Sequence, residues 1–188
     1  MYFNNIHILV YLFIGLLGCV VGQAIGLANE RLMNHERIIE KGSLKKFKDE
    51  FVPHYGLMTV MFILYAGIVY VTGIDKSNWY VNIKLISYLI LLPLLVSAFI
   101  IDLKKQIIPN RLVLTIFEAG LLITFFEGIN SPTGMTLALN RFEGMAAGAG
   151  IFLIITLLGG LIAGKEAMGF GDVKLMGALG LYFGLSNI

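Results

Sequence analysis

Charged residues divide this chain into six apolar runs. Ile6–Ala28, Tyr55–Ile74 and Gly144–Gly164 are long and carry no charge at all. Leu85–Ile101 is shorter, and Leu112–Phe126, shorter again, is broken once by Glu118. Leu175–Ile188 is the briefest and is still apolar where the sequence stops. A bilayer core of roughly 30 Å takes about 20 helical residues to cross. The three long runs therefore span on their own. The third and fourth in chain order span once their interfacial neighbours are counted, and the last reads as the start of a span whose remainder lies beyond the sequence. Strict two-residue alternation is absent, which argues against barrel strands, and lipid cannot satisfy an open sheet edge. The pattern predicts an all-α, polytopic membrane bundle of five spans and at least part of a sixth, organised as a single membrane-embedded domain over residues 1–188.

Composition sharpens this. Apolar residues make up 57% of the chain and charged residues 14%, against roughly 45–50% and about 25% in a soluble domain. One core of this size cannot hide so much apolar surface from water. A disordered chain, a typical soluble enzyme and a nucleic-acid binder with a broad basic face are thereby excluded. The formal net charge of +2 names no partner, but its distribution orients the chain. The odd-numbered loops hold eleven Lys and Arg residues, six of them between Arg31 and Lys48, whereas the even loops hold three: Lys76, Lys84 and Arg141. Positive residues stay on the cytoplasmic side. The odd loops are expected in the cytoplasm and the amino terminus outside.

Leu16-Leu17-Gly18-Cys19 looks like a lipidation box. It lacks a preceding basic segment, however, and the apolar run continues through Val20, Val21 and Ile25. Cys19, the sole cysteine, reads instead as a small residue inside the first span, and it rules out an internal disulfide or a four-cysteine zinc site. Gly18, Gly22 and Gly26 recur every fourth residue, as do Gly144 and Gly148, and Gly160 and Gly164. This spacing lets helix backbones approach closely in lipid.

An ionisable side chain at membrane depth is costly and is a functional candidate for that reason. Asp102 ends the third run within AFIIDLKKQIIPN, Asp172 precedes the sixth within GKEAMGFGDVKL, and Glu118 lies inside the fourth. Between the two aspartates the chain makes one excursion across the membrane and back. The expected topology therefore brings both to the cytoplasmic boundary. Two carboxyl groups sharing a poorly solvated site lose their protons in two steps. That leaves an acid and a base near neutral pH, the pairing that activates water against a peptide bond. The plainer alternative has each aspartate capping a helix or pairing with Lys104, Lys105 or Lys174.

Other peptidase chemistries fit less well. His35-Glu36-Arg37-Ile38-Ile39 lacks the second histidine of a zinc protease helix. No serine sits in a glycine-flanked elbow, and Cys19 has no basic neighbour. His7, His35 and His54 read as interfacial or loop residues, and GKEAMGFGD does not fit a phosphate-binding loop. No metal or cofactor is expected.

Met168–Gly180, MGFGDVKLMGALG, closely resembles the signature of type IV prepilin peptidases, the GxGD aspartic proteases of the membrane. Asp102–Asn110, DLKKQIIPN, resembles the same family's first aspartate segment. Gly15–Leu32 looks like its first helix, with Met33 where a proline often follows. The resemblance implies an aspartic endopeptidase of the bacterial cytoplasmic (inner) membrane. Such an enzyme cuts the short basic leader of type IV prepilins and pseudopilins at the cytoplasmic face, after a glycine and just ahead of the pilin's apolar helix. It implies Asp102 and Asp172 as the catalytic pair, with Gly169, Gly171 and Lys174 supporting the motif or binding substrate. Glycine there permits unusual backbone angles and close approach to a substrate strand. Lys165 and Glu166 match the family's run too, and read equally as interfacial charges. Pro109 and Asn110 are expected to form the turn and cap that start the fourth span. The implied partners are prepilin-like substrates and the bilayer, without nucleic acid.

Two departures from the resemblance matter. Many family members also methylate the new amino terminus and carry paired zinc-binding cysteines in the first cytoplasmic loop. The corresponding segment here, about residues 29–54, has none; its basic cluster at Leu44–Lys48 suits an anionic lipid surface or a solvated helix face. Family members also continue beyond the position of Ile188, so further spans are expected after it. Rival readings are the bifunctional peptidase and methyltransferase, an ion transporter subunit lined by Asp102, Glu118 and Asp172, and an inactive membrane scaffold.

Overall fold

The computed structural model describes residues 2–3, 6–33, 53–75, 78–163 and 169–187. The basic loop cluster, Gly164, Lys165 and Glu166 lie outside these residues. A two-residue antiparallel ribbon, β1 (Tyr2–Phe3) with β2 (Ile6–His7), precedes the helices α1 (Ile8–Met33), α2 (Tyr55–Thr72) and α3 (Trp79–Lys105). These are followed by α4 (Asn110–Asn130), α5 (Gly134–Ala163), α6 (Phe170–Phe183) and a short 3₁₀ turn at Leu185–Asn187. The first five helices are long and apolar enough to cross a membrane, and α6 has 14 residues. The all-α bundle expected from the apolar runs is what forms.

The helices outrun the apolar runs that announce them. The third run, Leu85–Ile101, sits in a helix of 27 residues, and the fourth, Leu112–Phe126, in a helix of 21. With a rise of about 1.5 Å per residue, both helices are long enough to span. Helix α5 starts at Gly134, well before its uncharged run, so Arg141 and Glu143 are helical and are not loop residues. The reason lies in packing: Arg141 is buried and ion-paired with Glu127 of α4, which removes the need for either charge to reach water.

The chain folds as two compact units, residues 1–105 and 106–188. Gln106, the first residue after α3, takes a positive φ of 52° and breaks the helix there.

In the first unit α1 packs along α2 through its glycine stripe. A methyl group at Gly18 would lie 2.6 Å from the Met61 carbonyl oxygen, and one at Gly22 would lie 2.7 Å from that of Leu57. The stripe is the means by which two backbones touch. Met61 and Val69 are completely buried behind it, and Cys19 is half-buried partway along the unbroken α1. Two hydrogen bonds join polar groups inside the unit. Gln23 Oε1 accepts from the His54 backbone N–H at 2.8 Å, and Ser97 Oγ donates to Asn29 Oδ1. Pro93 interrupts the backbone ladder of α3, because it has no N–H to offer the carbonyl four residues back, that of Leu89. The Tyr65 hydroxyl of α2 donates to that carbonyl at 2.8 Å. A side chain from the neighbouring helix thus replaces the missing backbone donor, as a span in lipid requires.

In the second unit α6 lies against both α4 and α5. Gly144 and Gly180 meet backbone to backbone: a methyl at Gly144 would lie 2.6 Å from the Gly180 carbonyl oxygen. Ile116 and Leu181 form the buried centre. Arg141 Nη2 pairs with Glu127 Oε2, and its Nη1 donates to the Leu181 carbonyl at 3.3 Å, tying α4, α5 and α6 together.

Candidate active site

Asp102 lies in the last turn of α3, exposed, and belongs to the first unit. Lys104 and Lys105 follow it, where cations complement the partial negative charge of a helix C-terminus. Helix α1 braces this end of α3 on both sides of the aspartate. Before it, buried Ser97 donates to buried Asn29; after it, Lys105 Nζ donates to the Met33 carbonyl. The helix turn that carries Asp102 is therefore held from the second half of α1, the segment GLANERLM of the sequence.

Asp172 belongs to the second unit and is the third residue of α6, half-buried. Gly169 caps the helix with extended angles (φ −71°, ψ 142°), and its carbonyl accepts from the Asp172 N–H at 3.1 Å. An acidic residue in the first turn is where the helix dipole favours negative charge. The two motif glycines differ. A methyl at Gly171 would come within 3.3 Å of Ile108 Cβ, so this glycine lets α6 pack on the segment entering α4. At Gly169 the nearest atom to such a methyl would be Asp172 Oδ2 at 3.8 Å, an ordinary contact, and its φ is one any residue adopts.

Lys174, exposed, donates from Nζ to Asn110 Oδ1 at 3.1 Å. This corrects the expected capping role of Asn110. Pro109 occupies the cap position, with ψ at 128° and no side-chain cap bond, and Asn110 is the first helical residue. Its carboxamide is thereby free to hold Lys174. The consequence is that Ile108-Pro109-Asn110, the end of the first aspartate motif, docks on Gly171 and Lys174, which flank the second aspartate.

Beside Asp172 a cavity of about 550 Å³ opens between α4, α5 and α6. Val113 and Phe117 of α4, Ala149 of α5 and Gly177 of α6 line it, and Asn110 and Lys174 are its polar members. A second cavity of about 520 Å³ lies between α4 and α5 near Phe125, Ile129 and Met135; it has no charged wall residue and does not include the α6 turn. Glu118 is exposed on α4 and does not line the interior of its unit. Among the described residues, no three His, Cys, Asp or Glu side chains gather closely enough to hold a metal ion.

The residues that sequence reasoning missed are polar ones in the interior. Glu127 was hidden because it follows an apolar run and looks like a loop charge, and Arg141 was counted as one. The signal that pairs them is their opposite charge on consecutive helices, 14 residues apart around a short turn. Asn29 and Ser97 carry no comparable signal, since they meet across 68 residues of chain.

Residues 89–188 match the type IV leader peptidase family. A prepilin leader peptidase/N-methyltransferase of Klebsiella pneumoniae is 34% identical over 136 residues, covering 70% of this chain and 53% of that protein. Its namesake in Pectobacterium carotovorum is 30% identical over 133 residues, 70% of this chain and 42% of the relative. That of Aeromonas hydrophila is 33% identical over 99 residues, 53% and 32% respectively. The chain thus spans about a third to a half of the length of these curated relatives. No solved structure matches it.

Proposed function

Because the chain belongs to the type IV leader peptidase family, we propose that it is an aspartic endopeptidase that removes the basic leader of prepilin-like precursors, with Asp102 and Asp172 as its catalytic residues. It is a multi-pass membrane protein, with five helices of spanning length. The inner membrane and its cytoplasmic face are the proposed site of action. The positive charges support that orientation more firmly once Arg141 is seen buried against Glu127, because its charge is neutralised and no longer weighs for the opposite side.

The observation that carries the proposal is the docking of Ile108 and Asn110 on Gly171 and Lys174. The segment that follows one aspartate is fastened to the residues beside the other. Asp102 and Ile108 are six positions apart, a reach of at most ~22 Å when fully extended. The two units are proposed to act as one peptidase domain on this ground.

In the proposed reaction one aspartate, ionised, takes a proton from a water molecule as it attacks the scissile carbonyl carbon. The other, protonated, gives its proton to the carbonyl oxygen. As the tetrahedral intermediate collapses, one of its hydroxyls returns a proton to the second carboxylate, the C–N bond breaks, and the amine leaves with the proton held by the first carboxyl. Close carboxyl groups divide into acid and base because both cannot ionise comfortably together. Precursor cleavage tests this. Asp102→Asn and Asp172→Asn, each alone, are expected to lower cleavage of a prepilin by ~10²-fold or more while the protein still accumulates in the membrane. Cleavage surviving either change at the wild-type rate removes the dyad.

The relatives' shared name includes N-methyltransferase. The proposal is confined to cleavage, because residues 29–54 contain no cysteine.

A further inference from the structure

We propose that the cavity beside Asp172 is the substrate subsite for the apolar side chain that immediately follows the scissile bond; this rests on the peptidase function proposed above. Its position is the first reason. The wall on α6 begins at Val173, the residue next to Asp172, and continues through Lys174 and Gly177. A side chain seated there brings its own backbone to the turn that carries the carboxylate.

Shape and polarity are the second. The volume of about 550 Å³ falls within the roughly 300–1,000 Å³ of ligand pockets. The floor is apolar and built partly of small residues: Gly177 and Ala149 both line it, and a methyl on Gly177 would lie 3.2 Å from Ala149 Cβ, so α5 and α6 meet closely there. The lip is polar. An ammonium has three protons to donate, and Lys174 gives one to Asn110. Its other protons are suited to the carbonyl oxygens of an extended peptide, which stay at the lip while a side chain goes down to the floor. The cavity near Phe125 has similar volume but no charged residue on its wall, and so offers a peptide backbone no such anchor.

Charge decides which side of the cut is bound. The leader is basic, and both a lysine lip and an apolar floor disfavour it. The apolar segment after the cut has the matching chemistry.

The test uses the full chain in lipid nanodiscs and a series of precursors that differ only in the residue after the scissile bond: Phe, Leu or Ala. Ala146→Phe fills the cavity from α5 and Leu114→Trp fills it from α4; both residues line it and are exposed, so neither change strikes the core. In the wild type, kcat/KM is expected to be higher for Phe and Leu than for Ala by ~10-fold, the scale of a few methylenes in an apolar pocket. Each filling variant is expected to lose ~10-fold or more on Phe and Leu and much less on Ala, so the preference for the larger side chains disappears. Lys174→Met is expected to raise KM by a similar factor for every member and leave the order intact. The subsite is overturned if both filled variants fall equally on all members, or if the wild-type order persists in them. A wild type that cuts no member overturns the peptidase function instead.

Discussion

Removing one oxygen atom from Tyr65 tests how the first unit accommodates a proline in the middle of α3. Pro93 leaves the Leu89 carbonyl without its helical donor, and the Tyr65 hydroxyl supplies the replacement at 2.8 Å. Tyr65 is 6% exposed, so water does not reach the carbonyl when the hydroxyl is gone. Leaving a buried acceptor unsatisfied costs about 1–3 kcal/mol, whereas interhelical hydrogen bonds measured in a membrane average about 0.6 and reach about 1.7 kcal/mol. Tyr65→Phe is therefore expected to cost ~1–2 kcal/mol, near the upper membrane figure, because the acceptor has no alternative donor in its own helix. In a Pro93→Ala background the residue at 93 regains an N–H for Leu89, and the same Tyr65→Phe change is expected to cost under ~0.5 kcal/mol. Reversible unfolding in mixed micelles, titrated with sodium dodecyl sulfate and followed by circular dichroism, gives the four free energies of the cycle. A Tyr65→Phe cost that is equal in the two backgrounds within ~0.5 kcal/mol, the ordinary scatter of additivity, refutes the explanation.

The same unfolding assay checks two more expectations. Glu127→Ala strands a buried guanidinium and is expected to cost ~3–5 kcal/mol, most of it recovered when Arg141→Met is added; a single change costing less than ~1 kcal/mol contradicts the buried pair. Gly18→Ala drives a methyl against the Met61 carbonyl and is expected to cost ~1–3 kcal/mol. Gly67→Ala, with nothing within 4 Å, serves as its control and is expected to be neutral or to stabilise by up to ~1 kcal/mol. Transfer of a labelled methyl group from S-adenosylmethionine to the cleaved substrate is expected to be at background, and clear incorporation would restore the bifunctional alternative.

The spans were legible because a helix in lipid has to be apolar over its length, and that requirement is written residue by residue. Charges were poorer guides to helix ends. Arg141 precedes the fifth apolar run yet sits within α5, since a paired charge no longer needs a loop. The glycine stripe of α1 was legible as a packing surface, although only the structure names Met61 and Leu57 as what it receives. At the candidate site the aspartates and motif glycines stood out by residue type and order. The Asn110–Lys174 contact did not, because it joins positions 64 apart whose meeting depends on how α6 is set against α4. The bracing of α3 through Ser97 and Asn29 was hidden for the same reason. Two small polar residues become a tether only when the helices that carry them are neighbours.

The salt bridge between α4 and α5 also has a bearing on biogenesis. Each of the two helices carries, within its own sequence, a charge that lipid rejects, and each finds its neutralising partner only in the other. Each is apolar enough to span, but it carries that charge at a cost until the other helix is beside it. The hairpin they form around Ser131–Thr133 is the smallest piece of this unit in which the buried charges of Glu127 and Arg141 offset each other.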